Sequence, residues 1–239
     1  MRRCILPGMA AAGLMAAVLV PAQPAAADSV LTRGMGATIG TLDPQINFLA
    51  VEGQIEDDMY EGLVTPGPDG EPIPGAAAAW DISDDDKTYT FHLRDGLKWS
   101  NGEPLVAQDF VNGIVRTLDP ATASEKAYIF TSTISVTGAA DFNKGKTKDP
   151  GSVGLSAPDE RTLVMKLDNP APYALYLLNS FYAAPLHKPS FEKFGKDFIE
   201  PAHIVSNGAY RMTESVPQSH VTVVKNPTTG TRRTSRSTR

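Results

Sequence analysis

The run "TYTFHLRDGLKWSNGEPLVAQDFVNGIVRTLDP" (88–120) changes its hydrophobic period partway along. Tyr89, Phe91 and Leu93 alternate with Thr88, Thr90 and His92. A period of two describes a strand with one buried face. Two turn dipeptides follow, Asp95-Gly96 and Asn101-Gly102, on either side of "LKWS". Phe110, Val111, Ile114, Val115 and Leu118 then recur at helical spacing, until Asp119-Pro120 stops the helix. A fold that accepts this run must place a half-buried strand and an amphipathic helix close together.

The rest of the chain repeats the mixture. "SVLTRGMGATIG" reads as a short strand, and Asp43-Pro44 as a turn. In "VEGQIEDDMYEGLVT" (51–65), Ile55, Met59, Tyr60 and Leu63 share one side of a helix ended by Gly62. "PGPDGEPIPGAAAAW" is dense in Pro and Gly and reads as a loop leading to Trp80. "DERTLVMKL" (159–167) alternates through Leu163, Met165 and Leu167, and "APYALYLLNSF" reads as helix. "GAYRM" and "HVTVV" read as a hairpin. Strands are many and short, without regular strand–helix alternation or internal repeat. The expected class is α+β.

The first residues read as an export signal. Arg2 and Arg3 precede the apolar stretch 9–20, which is too short to span a bilayer. Ala25 and Ala27 offer a small-residue cleavage site before Asp28. "RRCIL" partly matches a twin-arginine signal, but the general secretory route is favoured. The expected location is the periplasm. The sole cysteine, Cys4, would leave with the signal, so disulfides, thiol catalysis and thiolate metal sites are not expected.

Charge is uneven. Of the 22 basic residues, Arg2, Arg3, Lys225, Arg232, Arg233, Arg236 and Arg239 lie outside 28–224. That leaves 15 basic against all 27 acidic residues in the body, a net of −12. Such a body repels nucleic acid and anionic membranes. The Arg-rich end could bind phosphates by itself, but the acidic body and the export signal oppose a nucleic-acid partner.

No catalytic constellation stands out. His92, His187, His203 and His220 form neither HxH nor HExxH, and no GxSxG elbow occurs. "DISDDDK" lacks the spacing and closing Glu of a calcium loop. "RGMGATIG" and "GPDGEP" lack the lysine of a phosphate loop. No catalytic residue, metal site or cofactor is expected. An exported acidic protein of this kind reads as a binder rather than an enzyme.

From "LKWSNGEPLVAQDFV" outward, the chain resembles the family 5 solute-binding proteins of ABC transporters, in the oligopeptide-binding branch. The resemblance is ordered. "TLDPQ" precedes "YEGLVTPGPDGEPIPGAAAAWDISDDDKTYTFHL", and "RTLDPATAS", "GLSAPDERTLVMKLDNPAPY", "PLHK" and "SNGAYRM" follow. It covers roughly 30–227. Tyr89, Phe91, Leu93 and Trp99 would then be core residues, and Gly96 and Gly102 would permit positive φ. Asp109 would favour the start of its helix.

What the resemblance implies is a periplasmic-binding-protein type II-like first lobe with a small α+β domain inserted in it. The lobe would occupy 28–61 and resume over 188–226, with the inserted domain at 62–187 and a signal peptide at 1–27. Family members are roughly twice this length, so the second lobe would be missing and the first lobe incomplete. The partners implied are a peptide ligand and ABC transporter permease subunits in the membrane. In that branch the ligand backbone pairs, strand-like, with a segment just after "LDP", which here is Phe48, Leu49 and Ala50. The branch also supplies a tyrosine after "DPxTAS". Lys126 stands at that place, with Tyr128 two residues on, which weakens the case for strict oligopeptide preference. Nickel complexes, opines and sugars are ligands of other relatives.

The expected basic tail is 227–239. After "HVTVVKNP" the family continues Thr-Tyr-Trp-Asp, whereas this chain reads "TTGTRRTSRSTR". Written ACC ACT GGG ACG CGG CGG ACG, the tail becomes Thr-Tyr-Trp-Asp-Ala-Ala-Asp when one T follows the first codon. The codons are chosen, so a shifted frame is an expectation. Resequencing decides it: a frame running on into a second lobe supports it, and its absence sinks it.

Overall fold

The computed structural model describes residues 30–34 and 40–228. The expected signal peptide, Cys4 and most of the basic tail lie outside the described residues. Strand β1 (Val30–Gly34) is followed by helix α1 (Ala50–Met59) and the short strands β2 (Val64–Pro66) and β3 (Pro72–Pro74). Strands β4 (Ala77–Ile82) and β5 (Thr88–Leu93) lead into helix α2 (Ala107–Leu118). A π-helical turn (Ile129–Thr133), helix α3 (Ala139–Asn143), β6 (Leu155–Asp159) and β7 (Thr162–Lys166) come next. Helices α4 (Ser180–Ala183) and α5 (Lys188–Phe194) precede the hairpin β8 (Tyr210–Val216) and β9 (His220–Lys225).

Two larger antiparallel sheets and the two-stranded β2-β3 pair organise the described residues. Of the larger two, one has the order β4-β5-β7-β6 and the other β1-β9-β8. In the first, Tyr89 lies opposite Met165 and Phe91 opposite Leu163. All four are fully buried, so the alternating residues face the core as their period predicts. Helix α2 lies against β6 and β7 and buries Phe110, Ile114 and Leu118. In the second sheet the first described strand pairs with the last, Leu31 opposite Val223. Met212, Val221 and Val223 are buried there. Among the described residues no helix is long and apolar enough to cross a membrane.

Gly96 and Gly102 have φ of 70° and 90°, which a side chain would strain. Gly113 serves a different need. A Cβ there would sit 2.2 Å from the Ala184 carbonyl oxygen, so only glycine lets α2 approach that segment.

Two sequence expectations are corrected. "PGPDGEPIPGAAAAW" is not simply a loop: β3 lies within it and pairs with β2, which ends at its first residue, and the alanine run supplies the first half of β4. The prolines sit at the ends of three-residue strands, where a missing N–H costs no ladder bond. The alanines become a strand because β5 offers a partner, with Trp80 opposite Phe91. "APYALYLLNSF" forms not one helix but a 3₁₀ turn (Ala174–Leu177) and then α4, started by the Asn179 side chain accepting from the Phe181 amide.

The "WSNGEP" stretch closes onto the start of α2. Asp109 Oδ2 accepts from the Val106 amide (3.0 Å) and the Trp99 indole N–H (3.1 Å). Trp99 meets the buried His187 ring edge-on, and His187 Nε2 lies 2.5 Å from Glu103. Asp109→Ala leaves two donors without their acceptor. We expect a loss of about 2–3 kcal/mol in urea unfolding, with Asp109→Asn recovering part of it.

Candidate ligand-binding surface

The segment after Asp43-Pro44 is built around a buried carboxylate. The Asp43 carbonyl accepts from the Ile46 and Asn47 amides, at 3.0 and 2.8 Å, which makes the turn the proline requires. Glu52 is 1% exposed. Its Oε1 accepts from the Gly40 and Thr41 amides (2.7 and 3.0 Å), and its Oε2 from the Phe48 and Leu49 amides (both 3.1 Å). Four main-chain donors thus compensate one buried charge. The wrapping brings residues 48–50 to the surface as a corner. Phe48 is 45% exposed and Leu49 49%. Ala50 is exposed and opens α1.

This changes the expected chemistry of the corner. Strand-like pairing needs free main-chain groups in extended backbone. The Phe48 and Leu49 amides already donate to Glu52, the Leu49 carbonyl accepts from the Glu52 and Gly53 amides, and Ala50 is helical. The corner's exposed groups are the apolar side chains of Phe48, Leu49 and Ala50.

A second buried group lies behind the corner. The Lys126 ammonium donates to the Pro44 carbonyl (2.9 Å), to Asn47 Oδ1 and to the Phe181 carbonyl. It lies 3.5 Å from Glu56 Oε2 and 3.9 Å from the centroid of the Phe181 ring. Asn47 Nδ2 in turn donates to Glu56 Oε2 at 2.5 Å. Burial pushes the Glu56 carboxyl up to about 8 and the Lys126 ammonium down, while each holds the other partly charged. The upward direction for Glu56 follows from geometry. An ammonium has three N–H donors, and here all three go to carbonyl oxygens. Glu56 therefore has one short hydrogen bond, from Asn47 to Oε2, and the ammonium at 3.5 Å, while its buried Oε1 has no hydrogen-bond partner.

Lys126 and Tyr128 go different ways. Standing where the branch has a ligand-touching tyrosine, Lys126 is wholly buried and does not face the surface. Tyr128, two residues on, does: it is 45% exposed, immediately before the π-helical turn. Burial and the neighbouring Tyr128 push the Tyr182 hydroxyl up, and Tyr182 meets Phe181 edge-on at 4.9 Å. Since Lys126 grips Asn47, the chain emerges as Phe48 on one side of the knot and as Tyr128 on the other. All four expected site residues are exposed around one buried group.

A third contact anchors the turn. Arg116 pairs bidentately with Asp43 at 2.6 and 2.6 Å and reaches Gln45 Oε1 at 2.8 Å. Its guanidinium lies over the Phe191 and Phe198 rings, at 4.4 and 5.2 Å.

The two larger antiparallel sheets, with α2 on one of them, and the turn after Asp43 tied through the buried Lys126 to α4, describe part of a type II-like binding-protein lobe. The solved Haemophilus influenzae OppA in complex with RPPGFSPFR is similar at a TM-score of 0.76 and 36% identity, over 81% of this chain and 37% of that one. The model of the family described as "Bacterial extracellular solute-binding proteins, family 5 Middle" matches residues 71–232. The chain belongs to that family. The periplasmic oligopeptide-binding protein OppA of Escherichia coli is 36% identical over 92% of this chain and 42% of its own length. The probable deoxycholate-binding periplasmic protein YgiS of the same species is 37% identical over 92% of this chain and 41% of its own. The chain thus spans about two fifths of the length of the curated relatives it matches.

Proposed function

We propose that this chain is the peptide-recognising part of an extracytoplasmic solute-binding component of an ABC transporter, acting in the periplasm with membrane permease subunits. Phe48, Leu49, Ala50 and Tyr128 would form one wall of the ligand site. The observation that carries this reading is the exposed apolar corner seated on a fully bonded buried carboxylate: a rigid perch for side chains that water would rather not solvate. Apolar contact from fixed side chains tolerates many peptide sequences. In the same reading, 28–61 and 188–226 belong to the lobe and 62–187 to the inserted domain. Trapping a ligand by domain closure takes two lobes, of which these residues would form one wall.

YgiS, named for a steroid acid, supports a second reading in which the corner takes an apolar anion. Saturation-transfer NMR with trialanine and deoxycholate separates the two. The first reading expects signal from trialanine that free alanine does not displace. It also expects Phe48→Ala or Leu49→Ala to weaken binding by about fivefold or more. Signal from deoxycholate alone would overturn it.

A further inference from the structure

We propose that Lys126 is a positioning residue: its buried ammonium sets the Phe48–Ala50 corner against the Tyr128–Tyr182 pair. The inference rests on the peptide-site reading for its functional meaning, but its geometry stands apart from any ligand.

Three chain segments meet at Lys126 Nζ: the loop that carries it, the turn after Asp43, which contributes the Pro44 carbonyl and the Asn47 side chain, and α4, which contributes the Phe181 carbonyl. Asn47 passes the connection to Glu56 of α1. Nearby, Ser124 Oγ donates to the Gln45 carbonyl, a second tie from the same loop to the same turn. The Phe181 ring has two close neighbours. Lys126 Nζ lies over it at 3.9 Å, and a Cβ at Gly53 would come within 2.8 Å of it. Tyr182 follows Phe181 directly and meets Tyr128, which closes the loop of contacts.

A merely structural lysine would add stability evenly. This one joins pieces far apart in sequence, and each piece carries a residue of the corner or of the tyrosine pair one or two positions away: Asn47 beside the exposed Phe48, Phe181 beside the half-buried Tyr182, Lys126 two before the exposed Tyr128. No other single atom named above contacts all three segments. Its loss would let the two halves of the surface move independently while the β4-β5-β7-β6 sheet, to which none of these bonds runs, stays as it is.

Residue-resolved amide exchange tests this. In Lys126→Met, which keeps much of the side-chain length but no donor, amides over 46–49 and 181–183 are expected to exchange at least about tenfold faster. Those of β5 and β7 should stay within about twofold. Lys126→Arg, which keeps charge and donors, should recover at least half of the lost protection. Asn47→Ala, which removes only one of the three acceptors, is read if Lys126→Met does not fold; the same local pattern is expected, smaller. Unchanged exchange over 46–49, or an even rise across β5 and β7 in every folded variant, would overturn the proposal. Because exchange is read without ligand, a wild-type chain that shows no trialanine signal would sink the peptide reading and leave this result standing.

Discussion

Arg116→Leu is expected to lower the unfolding free energy by about 3–5 kcal/mol. The reason is what stays behind. Asp43 is 4% exposed and receives two charge-assisted bonds from the guanidinium. Leucine fills space between Phe191 and Phe198 but leaves that carboxylate buried beside Gln45 without its cation. Arg116→Lys should recover little, since one ammonium cannot reproduce a planar fork that bonds both Asp43 oxygens and Gln45 at once. A double-mutant cycle with Asp43→Asn separates this from simple loss of packing. If the pair acts as a unit, the double variant loses clearly less than the two single losses added together. Urea unfolding of the four proteins reads the result, and full additivity would contradict it. The turn that carries Phe48–Ala50 should loosen in step, because Asp43 is where it begins.

The pH dependence of stability should carry the signature of Glu56. Burial pushes its carboxyl up from 4.5 to about 8 in the folded chain. The sign follows from linkage. Between those two values the unfolded chain has released the proton and the folded chain still holds it. Stability is therefore full below about 4.5 and falls as pH rises, at about 1.4 kcal/mol per pH unit at most, until the folded carboxyl ionises near 8. Glu56→Gln keeps an acceptor for Asn47 and cannot ionise. The difference between variant and wild type should thus be small at pH 5 and favour the variant by about 2–4 kcal/mol at pH 8. Subtracting the two curves removes the titrating groups that are not coupled to Glu56 and leaves Glu56 with its partner Lys126. A difference that is flat with pH, or that favours wild type at pH 8, would mean that Lys126 holds Glu56 ionised throughout.

What the sequence reveals is set by where periodicity carries information. β5 and α2 are legible because Tyr89-Phe91-Leu93 and Phe110-Ile114-Leu118 follow one period over several residues. The hairpin β2–β3 and strand β4 are not, because Pro, Gly and Ala carry weak strand preference and the pairing with β5 is tertiary. The buried charges are hidden for a related reason. Glu52 and Glu56 lie four apart on the helix face shared by Ile55 and Met59, yet a periodicity reading assigns charge to solvent. Their compensation comes from elsewhere: main-chain amides for Glu52, and for Glu56 a lysine whose bond to Asn47 spans 79 residues. No local pattern announces that meeting. Phe48, Leu49, Ala50 and Tyr128 came from the ordered resemblance and not from composition. The structure adds that all four are exposed, and that the Phe48 and Leu49 amides are already taken by Glu52.

The most direct test is chemical-shift mapping of the ¹⁵N-labelled chain titrated with trialanine to about 10 mM, a range that captures affinities near −4 kcal/mol. The result predicted is a set of saturable shifts centred on Phe48, Leu49, Ala50 and Tyr128, with the β8–β9 hairpin unmoved. Shifts confined to other surfaces, or no saturable shift at all, would contradict a peptide site at this corner.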